Sequence, residues 1–502
     1  MQHEMMPNLF AITAVGAMPF SVALADEGVF ECVEVVRVVP KRRVVCRGSF
    51  NGKSVYAKIF IGKSASHYAL RDKSGAEALK KAGIDTPDLL LARELNDGAY
   101  IVIYAAIENA LNAEEALQHL AEQPRFVLMQ KLVQAVAQHH QAGLLQTDLY
   151  FKNFLVQQEV GQPELIYTLD GDGIRHISPF FQHRQKFRNL AILFSKMDVL
   201  EDVWISELYK LYCLYSGVVC SHEKEVEIWT LTQQIRHQMV KSYADKKVFR
   251  SCTDVKVTQS FKHFEAVASD FKIKAHLLAS LDGFLVDAQR NIKNGNTCTV
   301  AKATLENQQV IIKRYNVKDF WHGLSRAFRA SRAAKSWANA HRLMMSNIAT
   351  PKPLALIEAR FGCIRRRAYY LSEYVDAPDA MQFFNQSIEL EDQKIVARHL
   401  AALFYKLYLL KISHGDCKAS NIKIVNFTPV LIDLDGMQAH FGSVLGDWWF
   451  ERQHIKDLQR LMKNWVDDEE TTHLLKQAFE LEYRLQYPYD HNGDILFRAG
   501  IA

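Results

Sequence analysis

The chain has 502 residues, a net charge of +5 at neutral pH, 49% hydrophobic and 23% charged residues, and no low-complexity tract. That balance excludes a disordered or fibrous protein and describes a soluble globular enzyme of two or three domain-sized units. Eight cysteines are scattered with no C-x-x-C pair and no paired histidine spacing, which argues against zinc and fits reduced thiols in a cytosolic compartment.

The first apolar stretch, Leu9 to Ala25, has the character of a signal-peptide core, with Ala23-Leu24-Ala25 resembling a cleavage site. Met1 to Asn8 carry no Lys or Arg, however, and Pro19 interrupts the run. The preferred reading is a first strand over Phe20 to Leu24 and a turn at Asp26-Glu27-Gly28. No other run reaches transmembrane length. Val33–Val39 and Arg43–Cys46 then read as strands, and Ser49-Phe50-Asn51-Gly52-Lys53 as a hairpin turn into the strand that carries Lys58. Alternation points Lys58 into a cleft, and Glu77 sits on a following helix from which its carboxylate meets Lys58, the pair that positions nucleotide phosphates.

Phe126, Met129, Leu132, Val133 and Val136 recur at helical spacing, and that helix ends at His139-His140-Gln141-Ala142-Gly143, where the histidines read as packing rather than ligands. A polar loop follows, from Gln146 through Asp148 and Lys152 to Asn153, and then an apolar strand ending in Asp170-Gly171-Asp172. The same order returns in the second half. Asn294-Gly295-Asn296-Thr297 is a candidate phosphate-covering turn through Gly295 and Thr297, and Lys313 follows on a β-branched strand. The helical stretch after it has no Glu, so Asn339 or His341 must stand in for one. Then come His414-Gly415-Asp416-Cys417-Lys418, Asn421 and Asp433-Leu434-Asp435.

That spacing is what phosphoryl transfer from a nucleotide requires: an oriented nucleophile and a neutralised phosphate. Asp416 accepts the proton of an incoming hydroxyl, Lys418 lies over the γ-phosphate, and Asn421 and Asp433 hold Mg²⁺ through hard oxygens, with Asp435 beside them. Asp148 would be the equivalent base in the first half, with Asn153, Asp170 and Asp172 as its metal ligands. Tyr150 stands where the second loop has Lys418, and Lys152 is placed to compensate. Gly83–Leu90 pairs with Asn347–Leu354, and Val55–Ile59 with Val310–Arg314. The four correspondences keep one order and nearly one offset, which implies duplication of a whole domain with a boundary near residue 255.

Ile312–Asn316, Ser331-Arg332-Ala333, Trp337, Asn339-Ala340-His341, Thr350–Ala355, Glu373-Tyr374, His414-Gly415-Asp416 and Ile432–Asp435 carry a resemblance to the bacterial lipopolysaccharide core kinases. These are the Kdo and heptose kinases, distantly similar to protein kinases. The first half resembles them through Asp148, Asn153 and Asp170, with Gln146 where relatives tend to have His. The resemblance implies an α+β fold of two protein-kinase-like domains in tandem, each with a small β-rich N-lobe and a larger, mainly helical C-lobe. The domains would be 1–255 (lobes about 18–105 and 106–250) and 256–502 (lobes about 290–376 and 377–502). It further implies ATP and Mg²⁺ as cofactors and a sugar hydroxyl of the inner core as acceptor, at the cytoplasmic face of the inner membrane.

Arg326, Arg329, Arg332 and Lys335 repeat along one helix face, and Arg365-Arg366-Arg367 makes a second basic knot, so an anionic glycolipid or membrane surface is the expected partner. No nucleic-acid module is visible. Two readings compete: a small-molecule kinase of the aminoglycoside or choline type, and a scaffold in which one or both halves are pseudokinases. A protein substrate is disfavoured because neither half has an activation segment ending in A-P-E.

Overall fold

Alternation of apolar and polar residues builds the first sheet. A computed structural model describes residues 9–12, 15–95, 98–158, 164–272, 277–286, 291–295, 298–305, 307–315, 330–362, 364–386, 388–441, 444–483 and 493–501. Strands β1 (Gly16–Ala23), β2 (Val29–Val39), β3 (Arg43–Phe50), β4 (Lys53–Phe60), β5 (Leu89–Glu94) and β6 (Tyr100–Ala105) lie in the order β1-β2-β3-β4-β6-β5. Every neighbouring pair is antiparallel. The expected first strand is therefore a sheet edge, with Phe20 and Val22 buried. The β3–β4 turn is Asn51-Gly52, both at positive φ (52° and 74°), as a two-residue hairpin with the right-handed strand twist demands.

On β4 the residues Val55, Ala57 and Ile59 enter the apolar core with Phe30, Val35 and Val44. Lys58 consequently faces the opposite side, toward helix α1 (Ala65–Lys81). That helix touches the turn Gly171–Gly173 backbone to backbone: a Cβ on Gly75 would stand 2.0 Å from the Gly171 carbonyl oxygen. Helices Glu122–Gln141, Gln182–Phe194 and Ile205–Ser216 follow.

By Cα packing the chain divides into two units, Met1–Met197 with Trp204–Ile235, and Asp198–Val203 with Arg236–Ala502. The second unit has its own antiparallel sheet of seven strands. Its order is Val255–Gln259, His263–Ala268, Pro353–Phe361, Ile364–Glu373, Gln308–Tyr315, Cys298–Leu305 and Asn291–Asn294. The first two of these strands extend the sheet beyond the 290–376 range expected for the lobe. Leu281 and Leu285 of helix Leu277–Val286 pack on one face with Ala301, Val310 and Ile312. Helix Arg332–Met345 covers the other through Trp337, Ala340 and Leu343. Helices Leu390–Leu409, Val444–Met462 and Glu469–Tyr483 make the remainder, so the class is mixed helix and sheet, α+β. Among the described residues no helix is long and apolar enough to cross a membrane.

Candidate active site

In the second unit, Lys313, Asn421 and Asp433 line one cavity of about 610 Å³, together with Ser336, Thr350 and Ser372. Strand Gln308–Tyr315 brings Lys313 there because its apolar residues Val310 and Ile312 are drawn into the core on the other face. The hairpin Ile422–Val425/Thr428–Leu431 delivers Asp433 at its end, and Asn421 immediately precedes it. Lys313 is hydrogen-bonded to Asp433 and lies 3.5 Å from Asp435. Burial lowers the Lys313 ammonium pKa, and Tyr315, Asp433 and Asp435 more than offset this, so the net shift is upward. Burial raises the Asp433 carboxyl, yet Lys313 overcomes it and the net shift is downward. Asp433 sits at φ 60°, ψ 60°, the left-handed region that non-glycine residues occupy at a cost, often at functional sites.

The loop before it is clamped from three sides. Asn421 Nδ2 donates to the Asp416 carbonyl (2.8 Å), and the Asn421 carbonyl accepts from the Ile432 amide (3.0 Å). The His414 ring meets the Ile432 carbonyl at 3.0 Å. Asp457, buried on helix Val444–Met462, accepts from the backbone amides of His414 (2.7 Å) and Gly415 (3.0 Å). Gly415 must be glycine, since its φ is 82° and a Cβ would lie 2.8 Å from the Gly436 carbonyl oxygen. Asp416 pairs with Arg460 at 2.6 Å and Lys418 at 3.6 Å, and neither Asp416 nor Lys418 is among the cavity-lining residues. Cys417 is buried and its thiol pushed up by that burial, in keeping with a small packing residue.

The first unit repeats the arrangement with different partners. Lys58, Lys152, Asn153 and Asp170 line a cavity of about 490 Å³. Lys58 Nζ lies 2.6 Å from Asp72 and 3.1 Å from Asp170. Burial raises the Asp170 carboxyl, but Lys58 and Arg43 hold it down at about 2. Asp170 is again left-handed (φ 64°), and Asn153 Nδ2 again donates to the Asp148 carbonyl, at 2.7 Å. Gln146 takes the His414 position, its amide donating to the Leu169 carbonyl at 2.9 Å. Asn189 replaces the Asp457 clamp, and its amide donates to the Gln146 carbonyl at 2.8 Å instead of accepting from the loop. Asp148 is exposed, and Tyr150 is flanked by Lys196 at 3.9 Å and Lys152 at 5.2 Å. Burial, with Lys152 nearby, lowers Lys196 to about 8.

Several expectations need correction. Glu77 does not meet Lys58: its carboxylate lies 3.8 Å from Lys73 on the exposed side of α1, and Asp72, further buttressed by the Tyr104 hydroxyl at 2.7 Å, is the helical acid. Neither Asn339 nor His341 faces Lys313. Asn339 donates to the Leu434 (2.8 Å) and Met437 (3.0 Å) carbonyls, and His341 packs edge-on to Trp337. The repeat register Thr86-Pro87/Thr350-Pro351 carries Asp72 to Ser336, whose hydroxyl meets Tyr315 at 2.9 Å. Asp172 and Asp435 are each held by an arginine, Arg71 at 2.9 Å and Arg332 at 2.6 Å. Arg332 is thus turned onto the site rather than outward. Lys335 is exposed, whereas Arg326 and Arg329 lie outside the described residues. Arg365 and Arg367 are paired with Glu358 and Asp282. Gly295 closes its turn onto the Cys298 carbonyl at 3.0 Å, and Thr297 lies outside the described residues. The histidines His139 and His140 are core groups, bonded to Thr168 (2.9 Å) and to Tyr212 (2.8 Å) and Asn189 (3.0 Å).

A buried strand lysine set against a carboxylate, beside an asparagine loop and a cleft, is the apparatus of nucleotide-dependent phosphotransferases. The chain belongs to the lipopolysaccharide kinase (Kdo/WaaP) family, whose sequence model matches residues 66–211 and 286–483. It is therefore a kinase, and membership implies phosphorylation of lipopolysaccharide core sugars with ATP as donor. Lys58 lies outside the first matched span, while Asp148, Asn153, Asp170 and all the second-unit site residues lie inside. A comparison with curated proteins returns no match.

Sequence reasoning missed Asp72, Asp457 and Arg460, and placed Arg332 on an outward basic face instead of on Asp435. The signal for Asp457 was present as a lone acid among the helically spaced positions His454, Leu458 and Leu461 of an amphipathic helix, where an unpartnered carboxylate would be costly.

Proposed function

We propose that the protein is a tandem of two protein-kinase-like domains, about residues 1–255 and 256–502. In this reading it transfers the γ-phosphoryl group of ATP to a heptose or Kdo hydroxyl of the lipopolysaccharide inner core, at the cytoplasmic face of the inner membrane. The observation that carries the reading is the convergence of Lys313, Asn421 and Asp433 on one cavity, with Asp416 on the same clamped loop. The acceptor oxygen attacks phosphorus as its proton passes to Asp416, and ADP leaves. Lys313 steadies the nucleotide phosphates and Lys418 the transferred group.

The donor set suits Mg²⁺, since an amide and a carboxylate offer hard oxygens, and the Asn421 amide nitrogen is already spent on the Asp416 carbonyl. Asn421 and Asp433 would hold the ion, which supplies charge neutralisation across the phosphates. The arginine pairing of Asp435 and Asp172 favours a role in orienting the turn for those two.

The second unit is the surer catalyst. Gln146 and Asn189 support a weaker loop in the first, which favours nucleotide binding there with little or no turnover. Asp416→Ala is expected to lower phosphate transfer to purified core glycolipid about 10²- to 10⁴-fold, and Asp148→Ala far less. Full activity in the Asp416 variant would refute the assignment.

A further inference from the structure

The helix whose buried face clamps the catalytic loop carries an unusual outer face, and it does so in both units. In the first, Phe180 and Phe181, in the 3₁₀ turn immediately before helix Gln182–Phe194, are 89% and 60% exposed. In the second, Trp448 and Trp449 are 54% and 45% exposed on helix Val444–Met462. Exposed aromatic pairs of this size are rare on a solvated surface.

Each pair is followed by cations four and eight residues on, Arg184 and Arg188 after Phe180 and Arg452 and Lys456 after Trp448, all four exposed, and in the second unit the helix sets Trp448, Arg452 and Lys456 on one face. One interval in the sequence maps these positions onto each other and also maps Asn189 onto Asp457, so the pattern has been kept through the duplication while both aromatic rings and the second of the two basic groups changed type. Helix Gln182–Phe194 has no acidic residue in its sequence. The acids near Trp448 are neutralised: Asp447 pairs with Lys411 at 2.8 Å and Glu451 with Arg498 at 3.2 Å.

We propose that these two helix faces dock on a bilayer of anionic lipid, the aromatic pair entering the headgroup boundary and the cations engaging lipid phosphates. Large rings flanked by cations are the composition that lies at such an interface. The proposal deepens the reading above, in which the acceptor is a membrane glycolipid, and it replaces Arg326–Lys335 as the contact surface. Asp457 ties the second face to the Asp416 loop, so docking there would present the loop to headgroup sugars.

The full chain is mixed with phosphatidylcholine vesicles with and without phosphatidylglycerol, and with heparin as a soluble polyanion. Salt-sensitive co-sedimentation with the anionic vesicles alone is expected. Trp448→Ala/Trp449→Ala and Arg452→Glu/Lys456→Glu should each weaken it about tenfold or more, with unfolding midpoints unchanged because the sites are exposed. The same variants should keep wild-type transfer to deacylated core oligosaccharide and lose it on vesicle-embedded glycolipid. Wild-type vesicle binding without transfer to either acceptor supports docking and sinks the assigned reaction instead. Variants that bind vesicles like wild type, or retention by heparin without vesicle binding, overturn the proposal.

Discussion

Asp72 and Glu77 occupy one helix, five residues apart, and at 3.6 residues per turn that separation rotates a side chain about 140° around the axis. Only Asp72 can share a side with Lys58. Asp72 is fully buried and bonded to Lys58, Tyr104 and the Asp172 amide, while Glu77 is exposed. Asp72→Asn strips a buried cation of its nearest counter-charge and is expected to destabilise the first unit by about 3–5 kcal/mol. Glu77→Gln should stay within roughly 0.5 kcal/mol of wild type, as surface changes do. Urea unfolding of the two variants decides the matter, and equal losses would contradict the assignment of Asp72.

Elements meet at backbone distance where helix α1 crosses the Asp170 turn. In an ordinary helix interior Gly→Ala gains about 1 kcal/mol, yet at Gly75 the new methyl would stand 2.0 Å from the Gly171 oxygen, and neither backbone can yield cheaply. Gly75→Ala is expected to cost about 1–3 kcal/mol and to weaken nucleotide binding in the first unit by moving Lys58 and Asp170 apart. Gly283→Ala, within helix Leu277–Val286 and with nothing inside 4 Å, should stabilise by roughly 0.5–1 kcal/mol. Thermal unfolding reads both signs. The clamp at Asp457 makes a second element-level case. Asp457→Ala leaves two loop amides without acceptors, at about 1–3 kcal/mol, and should lower kcat more than it raises KM for ATP, because Lys313 and Asp433 stay in place.

For the whole molecule, acid sensitivity follows from histidines buried as neutral rings in both units. Burial lowers His139 and His341 to about 4 and His140 and His454 to about 3, all from 6.5. Their folded values lie below the unfolded one, so protons bind first to the unfolded chain. The stability these rings contribute is complete above pH 6.5 and drains away as pH falls toward 4 and 3. Asp170, held at about 2, yields its contribution only below 3.8. Denaturant midpoints should therefore be level from about pH 6.5 to 8 and fall steadily below 6.5, well before carboxylates protonate. A midpoint unchanged down to pH 4.5 would contradict this.

Short-range chemistry was legible without coordinates. The step from Asp416 to Asn421, the strand ending in Asp433, the Asn51-Gly52 turn and the outward face of Lys58 all depend on neighbours a few residues away, where spacing and alternation act directly. Helix α1 was legible as a helix, but which of its acids meets Lys58 was not, because which side of a helix meets a strand lysine is decided by how that helix rolls against the sheet. Asp72, Asp457, Arg332 and Arg460 reach their partners across 14 to 103 residues of chain. They were chosen by packing: once apolar faces close and water leaves, a buried cation or an unpaired loop amide takes the nearest oxygen or guanidinium the fold has brought alongside it.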